Sequence, residues 1–131
     1  MGSGAILTEV IKAARQLADR GIRATVYSVT SWSELARDGA ACQRRALAGE
    51  AAGTPFVAEQ LHASDGPIIA ATDYVRAVPE SIRAFLPAGR SYLTLGTDGF
   101  GRSDTRAALR GFFGVDAQSI VNAALHQLGL S

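Results

Sequence analysis

DGPIIAATD, residues 65–73, decides the fold. At its centre Pro67, Ile68, Ile69, Ala70 and Ala71 form an unbroken apolar run, closed in front by Asp65 and Gly66 and behind by Thr72 and Asp73. A strand with one face in water alternates apolar and polar residues. A run that does not alternate, and is too short for a helix, reads as a strand covered on both faces. Strands of that kind belong to parallel sheets with a layer of helices on each side.

The rest of the chain supplies those layers. Residues 4–19 place Ile6, Leu7, Val10, Ile11, Ala14, Leu17 and Ala18 on one helical stripe, and Gly21 suits a left-handed stop. Residues 22–29 are β-branched and short, and read as a second strand. Ser31-Trp32-Ser33-Glu34 has the pattern of a capping box. The Ser31 hydroxyl is expected to accept from the Glu34 amide and the Glu34 carboxylate to reach back, opening a helix to residue 47 that Gly39 weakens. Residues 48–54 are a loop, and Pro55 opens a short helix over residues 56–61. Residues 74–86 carry Val75, Val78, Ile82, Phe85 and Leu86 at helical spacing, with Pro79 expected to kink or split the helix. Residues 91–95 read as a third strand. Two closing helices, residues 104–113 and 116–128, each begin at an aspartate cap, with Gly114 between them. The alternation predicts an α/β three-layer sandwich, a mostly parallel sheet flanked by helices.

The 131 residues fit a single domain, and no repeat, low-complexity tract or linker divides them. Twelve arginines and Lys12 are spread along a chain of net charge +1, which gives no electrostatic case for a nucleic-acid partner. Cys42 is the one cysteine, so neither an intrachain disulfide nor a cysteine-based metal site is available, and the reducing cytoplasm is the expected compartment. With Ala40, Ala41 and Ala46 around it, Cys42 reads as a packed thiol. No apolar run approaches the about 20 residues that cross a bilayer, and the N-terminus lacks the pattern of a signal peptide.

Motifs that would carry chemistry fail on their partners. Gly2-Ser3-Gly4 precedes a helix, as a dinucleotide fingerprint does, but the third glycine is replaced by Leu7 and no strand is read ahead of it. LGTDGFGRSD, residues 95–104, holds a TDG close to the GDG that begins the Mg-diphosphate site of thiamine enzymes. Thr97 stands where that motif has glycine, and Asn122 is followed by Ala123 where paired asparagines are needed, so the oxygen ligands for Mg²⁺ do not converge. His62 and His126 have no carboxylate or cysteine at ligand spacing. No nucleophile elbow or P-loop is present. No catalytic, cofactor-binding or metal-binding residue is assigned.

The glycines of LGTDGFGRSD suit a tight loop, and Ser103 or Asp104 can cap the helix that follows. That leaves Phe100 between Gly99 and Gly101, and Arg102 beside Asp98 and Asp104. An aromatic ring flanked by glycines can be presented to a partner surface, and an arginine can bridge to a carboxylate across it. Asp98, Phe100, Gly101, Arg102, Ser103 and Asp104 are therefore the candidate interface loop.

VYSVTSWSELARDG (residues 26–39) and LGTDGFGRSDTRAALRGFFGVDA (residues 95–117) resemble the C-terminal domain of the homodimeric, bacterial-type pyruvate dehydrogenase decarboxylating component, a member of the transketolase-like superfamily. GSGAILTEVIKAA (residues 2–14) and ATDYVRAVPESIRAFLP (residues 71–87) fit the same domain in order. The resemblance covers nearly the whole chain. It implies a parent enzyme that uses thiamine diphosphate and Mg²⁺ to decarboxylate pyruvate and passes the acetyl unit to lipoyl groups of an acetyltransferase component. It also implies that this domain supports the dimer while the cofactor is held by the others. In the family an interior strand of the sheet precedes the Gly-Ser-Gly, and the domain continues beyond the last helix. The expectation is thus a transketolase C-terminal-domain-like fragment of a longer chain, lacking an interior strand at its N-terminus. The alternatives are the equivalent domain of another transketolase-like enzyme, and a free-standing α/β module binding a small ligand at Thr72-Asp73 and residues 96–103.

Overall fold

The structure, a computed structural model, describes residues 1–97 and 115–130. Two strands, β1 (Ile68–Ala71) and β2 (Tyr92–Leu95), pair in parallel with Ile68 opposite Tyr92 and Ala71 opposite Leu95. The sheet continues past β1 through residues 1–3. Gly2 bridges in parallel to Ala71 on one side and to Ser28 on the other. The Met1 amine donates to the Ile69 carbonyl at 2.7 Å and the Ala71 amide to the Met1 carbonyl at 2.9 Å. On the opposite side the Gly2 amide donates to the Tyr27 carbonyl at 3.0 Å, and the Val29 amide to the Gly2 carbonyl at 2.8 Å. Across the sheet the order is therefore the segment at Ser28, then residues 1–3, then β1, then β2.

The helices take both faces. A 3-10 turn (Gly4–Ile6) leads into α1 (Leu7–Asp19), which packs with α5 (Ala117–Gln127) on one face. Ile6, Val10, Ala13, Leu17, Ile120, Val121 and Ala124 form that core with Ala71. On the other face α2 (Trp32–Leu47), α3 (Phe56–Leu61) and the stretch from α4 (Ala77–Glu80) to Ile82 cover Ile68, Ala70 and Tyr92 through Trp32, Val57, Leu61 and Ile82. Neighbouring residues of β1 thus serve opposite cores, which is why the run has no polar alternation. Ile6 and Ile82 are wholly buried, each contributing about 1.5–3 kcal/mol of hydrophobic stabilisation.

Several sequence expectations change here. Residues 22–29 form no continuous strand; only Ser28 is paired, because only Gly2 lies alongside it. Residues 74–86 are not one kinked helix. They hold α4 and a 3-10 turn (Arg83–Phe85), with Pro79 inside the first turn of α4, where its missing N–H costs nothing. The Ser31 cap is made, with the Glu34 amide donating at 3.1 Å, but the Glu34 carboxylate accepts from Arg37 at 2.6 Å rather than reaching back. Gly39 does not interrupt α2; it admits the ring of Phe85, with which a Cβ at this position would collide. Gly96 is not left-handed: its missing Cβ clears the backbone of Tyr74 and Arg76. The Asp116 cap of α5 is present, accepting from the Ser119 amide at 3.0 Å. The helix expected over residues 104–113 lies outside the described residues.

Candidate functional site

In an open α/β sheet, ligands gather beyond the carboxyl ends of the strands, at the point where the strand order reverses. Here that point lies between residues 1–3 and β1, since α1 leaves for one face and the helices that follow residue 29 take the other. Ser3 and Gly4 stand on one side of it, and Thr72, Asp73 and Tyr74 on the other.

The protein's own side chains close this crevice. Trp32 Nε1 donates to Ser3 Oγ at 3.0 Å, and Ser3 Oγ donates to Thr72 Oγ1 at 3.1 Å. The Tyr74 amide also donates to Thr72 Oγ1, at 3.2 Å. Thr97 Oγ1 donates to the Asp73 carbonyl at 2.7 Å, and the Thr97 amide to the Tyr74 carbonyl at 2.9 Å. Ser3, Trp32 and Thr72 are buried, so these bonds satisfy groups that have no access to water. Sequence reasoning assigned Trp32 only a place in a cap and missed the network. No local signal reveals it, because its members are brought together by the sheet from positions 3, 32 and 72.

A second polar cluster fastens α4 to β2. Arg83 grips Glu80 with two bonds, Nε to Oε2 at 2.6 Å and Nη2 to Oε1 at 2.8 Å, and Thr94 Oγ1 donates to Glu80 Oε1 at 2.8 Å. The Arg83 bonds, with Thr94 adding to them against an opposing burial effect, hold the Glu80 carboxyl at about 2. Tyr92 Oη donates to the Pro79 carbonyl at 2.7 Å, and burial raises the phenol's pKa. The Arg83 guanidinium lies 4.9 Å from the centre of the Tyr92 ring. An ionised carboxylate locked to a guanidinium beside a neutral phenol is a clamp; none of these groups is tuned to exchange a proton near neutrality.

The hollows lie elsewhere. A groove of about 360 Å³ opens at the amino ends of the strands, between residues 22–27 and 64–69. Another of about 590 Å³ lies between residues 27–31, α2 and α3, beside Glu34, Asp38 and the half-exposed Phe56. Among the described residues no three His, Cys, Asp or Glu side chains converge as a metal site. His62 and His126 are exposed, and Cys42 is buried with its sulfur accepting from Arg45 Nη2 at 3.2 Å. The candidate interface loop, Asp98, Phe100, Gly101, Arg102, Ser103 and Asp104, lies outside the described residues. No helix among the described residues is long and apolar enough to cross a membrane.

Comparison with known proteins agrees with this geometry. The family described as the transketolase-like TK C-terminal domain matches residues 1–116. The pyruvate dehydrogenase E1 component of Mycolicibacterium smegmatis is 49% identical over 131 residues, covering 98% of this chain and 14% of that protein. The E1 component of Escherichia coli K12 is 47% identical over the same length and shares. This chain thus spans about a seventh of the relatives it matches. Among solved structures, a split-gene transketolase described as an inactive beta4 tetramer superposes with a TM-score of 0.60 at 18% identity, over 98% of this chain and 38% of that one, a likeness of fold. The closed crevice sits in a fold and a sequence that both lead to one family: the chain belongs to the transketolase-like C-terminal domain family.

Proposed function

We propose that this chain is the non-catalytic C-terminal assembly domain, a single unit over residues 1–131, of a pyruvate dehydrogenase E1 component. In that reading the parent enzyme is a cytoplasmic dimer that carries out the oxidative decarboxylation of pyruvate at the entry to the pathways beyond glycolysis. Its acetyl unit passes to lipoyl groups of a dihydrolipoyl acetyltransferase. Thiamine diphosphate and Mg²⁺ are held by other domains and by none of these residues. This domain packs on them and on the second subunit, partly through Asp98, Phe100, Gly101, Arg102, Ser103 and Asp104. Neither nucleic acid nor membrane is a partner.

The observation that carries the reading is the crevice sealed by Trp32, Ser3 and Thr72 in a chain nearly half identical to E1 components. A site that spends its polar groups on its own fold has none left to offer a ligand. The test is the pair of substitutions Phe100→Ala and Arg102→Ala in the full-length enzyme. Weaker dimerisation or loss of retained thiamine diphosphate is expected; unchanged sedimentation and activity would overturn the interface assignment. Calorimetry of the 131-residue chain with thiamine diphosphate and Mg²⁺ is expected to give no binding heat, and tight binding would overturn the non-catalytic assignment.

A further inference from the structure

We propose that the outer edge of the sheet at Ser28, with the hollow beside α2 and α3, docks an extended peptide of another molecule. That peptide carries one basic and one apolar side chain two residues apart. Nothing in this assignment depends on the parent reaction.

Among the described residues, the segment at Ser28 stands last in the order of the sheet. Two bonds fix its inner side: the Gly2 amide donates to the Tyr27 carbonyl, and the Val29 amide to the Gly2 carbonyl. In a parallel ladder the N–H and C=O of one residue point to the same side, and successive residues alternate. Tyr27 and Val29 turn toward residues 1–3, so Ser28 between them turns outward. Among the described residues, the backbone amides and carbonyls of Val26, Ser28 and Thr30 make no hydrogen bond. Ser28 and Thr30 are also exposed. The outward groups face away from residues 1–3, so they stay open whatever chain adjoins Met1. An open row of N–H and C=O groups is what an added strand pairs with.

The adjoining hollow specifies the side chains. Residues directly opposite each other on paired strands point to the same face. Val29 belongs to the core under α2 and α3, and Tyr27 packs against that core. Occupant side chains opposite Tyr27 and Val29, two residues apart, therefore enter the hollow of about 590 Å³, and the one between them faces away. Glu34 and Asp38, one turn apart on α2, line this hollow, and no described lining residue is basic. Arg37 holds one oxygen of Glu34 at 2.6 Å, and the Phe56 amide holds one oxygen of Asp38 at 2.7 Å. Among the described residues, the second oxygen of each carboxylate has no hydrogen bond. A lysine or arginine of the occupant meets those two oxygens. Leu35, Val57 and the half-exposed Phe56 give the apolar wall for its other side chain. The carboxylates and the open backbone groups together favour a basic peptide over a small apolar molecule. A second copy of the chain is a poor occupant, because pairing through the same edge would bring two acidic rims together.

The experiment is hydrogen exchange on the 131-residue chain with the peptide acetyl-Thr-Arg-Thr-Leu-Thr-amide. Bound peptide is expected to slow the Ser28 amide about tenfold or more. The Tyr27 amide, which faces the other way, should keep its rate. Glu34→Gln combined with Asp38→Asn removes both charges and leaves amide oxygens that can accept from Arg37 and Phe56. That double variant should bind the peptide about fivefold more weakly. On the unaltered chain, a peptide with glutamate in place of its arginine should leave Ser28 unprotected. The proposal is overturned by any of four results: no protection of Ser28 at about 1 mM peptide, equal protection by the glutamate peptide, unchanged affinity in the folded double variant, or protection of Ser28 and Tyr27 alike. A concentration-dependent dimer that already protects Ser28 without peptide would overturn it in favour of a second copy.

Discussion

Adding one methyl group at Gly96 should cost more stability than at any exposed glycine turn, although Gly96 has an ordinary backbone conformation. A Cβ built there lies 2.8 Å from the Arg76 amide nitrogen and 2.8 Å from the Tyr74 carbonyl oxygen. Comfortable contacts begin near about 3.5 Å, so the 74–76 backbone must recede by about 0.7 Å. Neither atom is the end of a flexible side chain, so the strain cannot be relieved by a rotamer change. The recoil acts on the same Tyr74 carbonyl that accepts from the Thr97 amide at 2.9 Å. Overpacking costs about 1–3 kcal/mol and the weakened hydrogen bond about 1 kcal/mol. The stiffer unfolded chain returns about 0.4–1 kcal/mol. Gly96→Ala should therefore lose about 1–3.6 kcal/mol, centred a little above 2, read as a lower urea midpoint at unchanged m. Gly49→Ala is the control: its φ is +76° and nothing lies within 4 Å of its Cβ, so only the left-handed penalty applies, about 1–2 kcal/mol. The reasoning is refuted if Gly96→Ala unfolds within about 0.5 kcal/mol of the parent chain, a typical surface effect, or if it costs less than Gly49→Ala.

Two further predictions follow from buried polar groups. The Met1 amine has a folded pKa of about 5 against 8.0 for the free group, because burial disfavours its charge. Between those values the unfolded chain binds a proton that the folded chain does not. Stability should therefore rise from pH 5 to pH 8, by up to about 4 kcal/mol, and level off above. Acetylating the amine removes the titration, so an acetylated chain with the same slope would show the cause to lie elsewhere. Ser3→Ala leaves the buried Trp32 indole N–H without its acceptor, which should cost about 1–3 kcal/mol. Because Trp32 is the only tryptophan, its fluorescence reports the change directly; unaltered emission and stability would mean the network is not what seals the crevice.

Much of the architecture was legible in short stretches because its causes are local. The unbroken run at residues 67–71 marks a strand buried on both faces, and β1 lies between the two cores. The caps at Ser31 and Asp116 needed only a side chain within reach of its own helix. Pattern was less reliable where neighbours compete. Residues 22–29 have the composition of a strand, but a strand exists only where another runs beside it, and one bridge is all that residues 1–3 provide. Residues 74–86 have helical spacing, yet the backbone at Tyr74 and Arg76 is drawn against Gly96 and Thr97 instead of coiling.

The sequence by itself determined the fold class, the starts of α2, α3 and α5, and the family, since each is written in local patterns of apolar, capping and glycine residues. Only the tertiary structure decided what stands at the reversal of strand order, where Ser3, Trp32 and Thr72 meet and close the crevice. Contacts between residues far apart in the chain are set by how the sheet is ordered, and nothing in the residues adjacent to any one of them encodes that order.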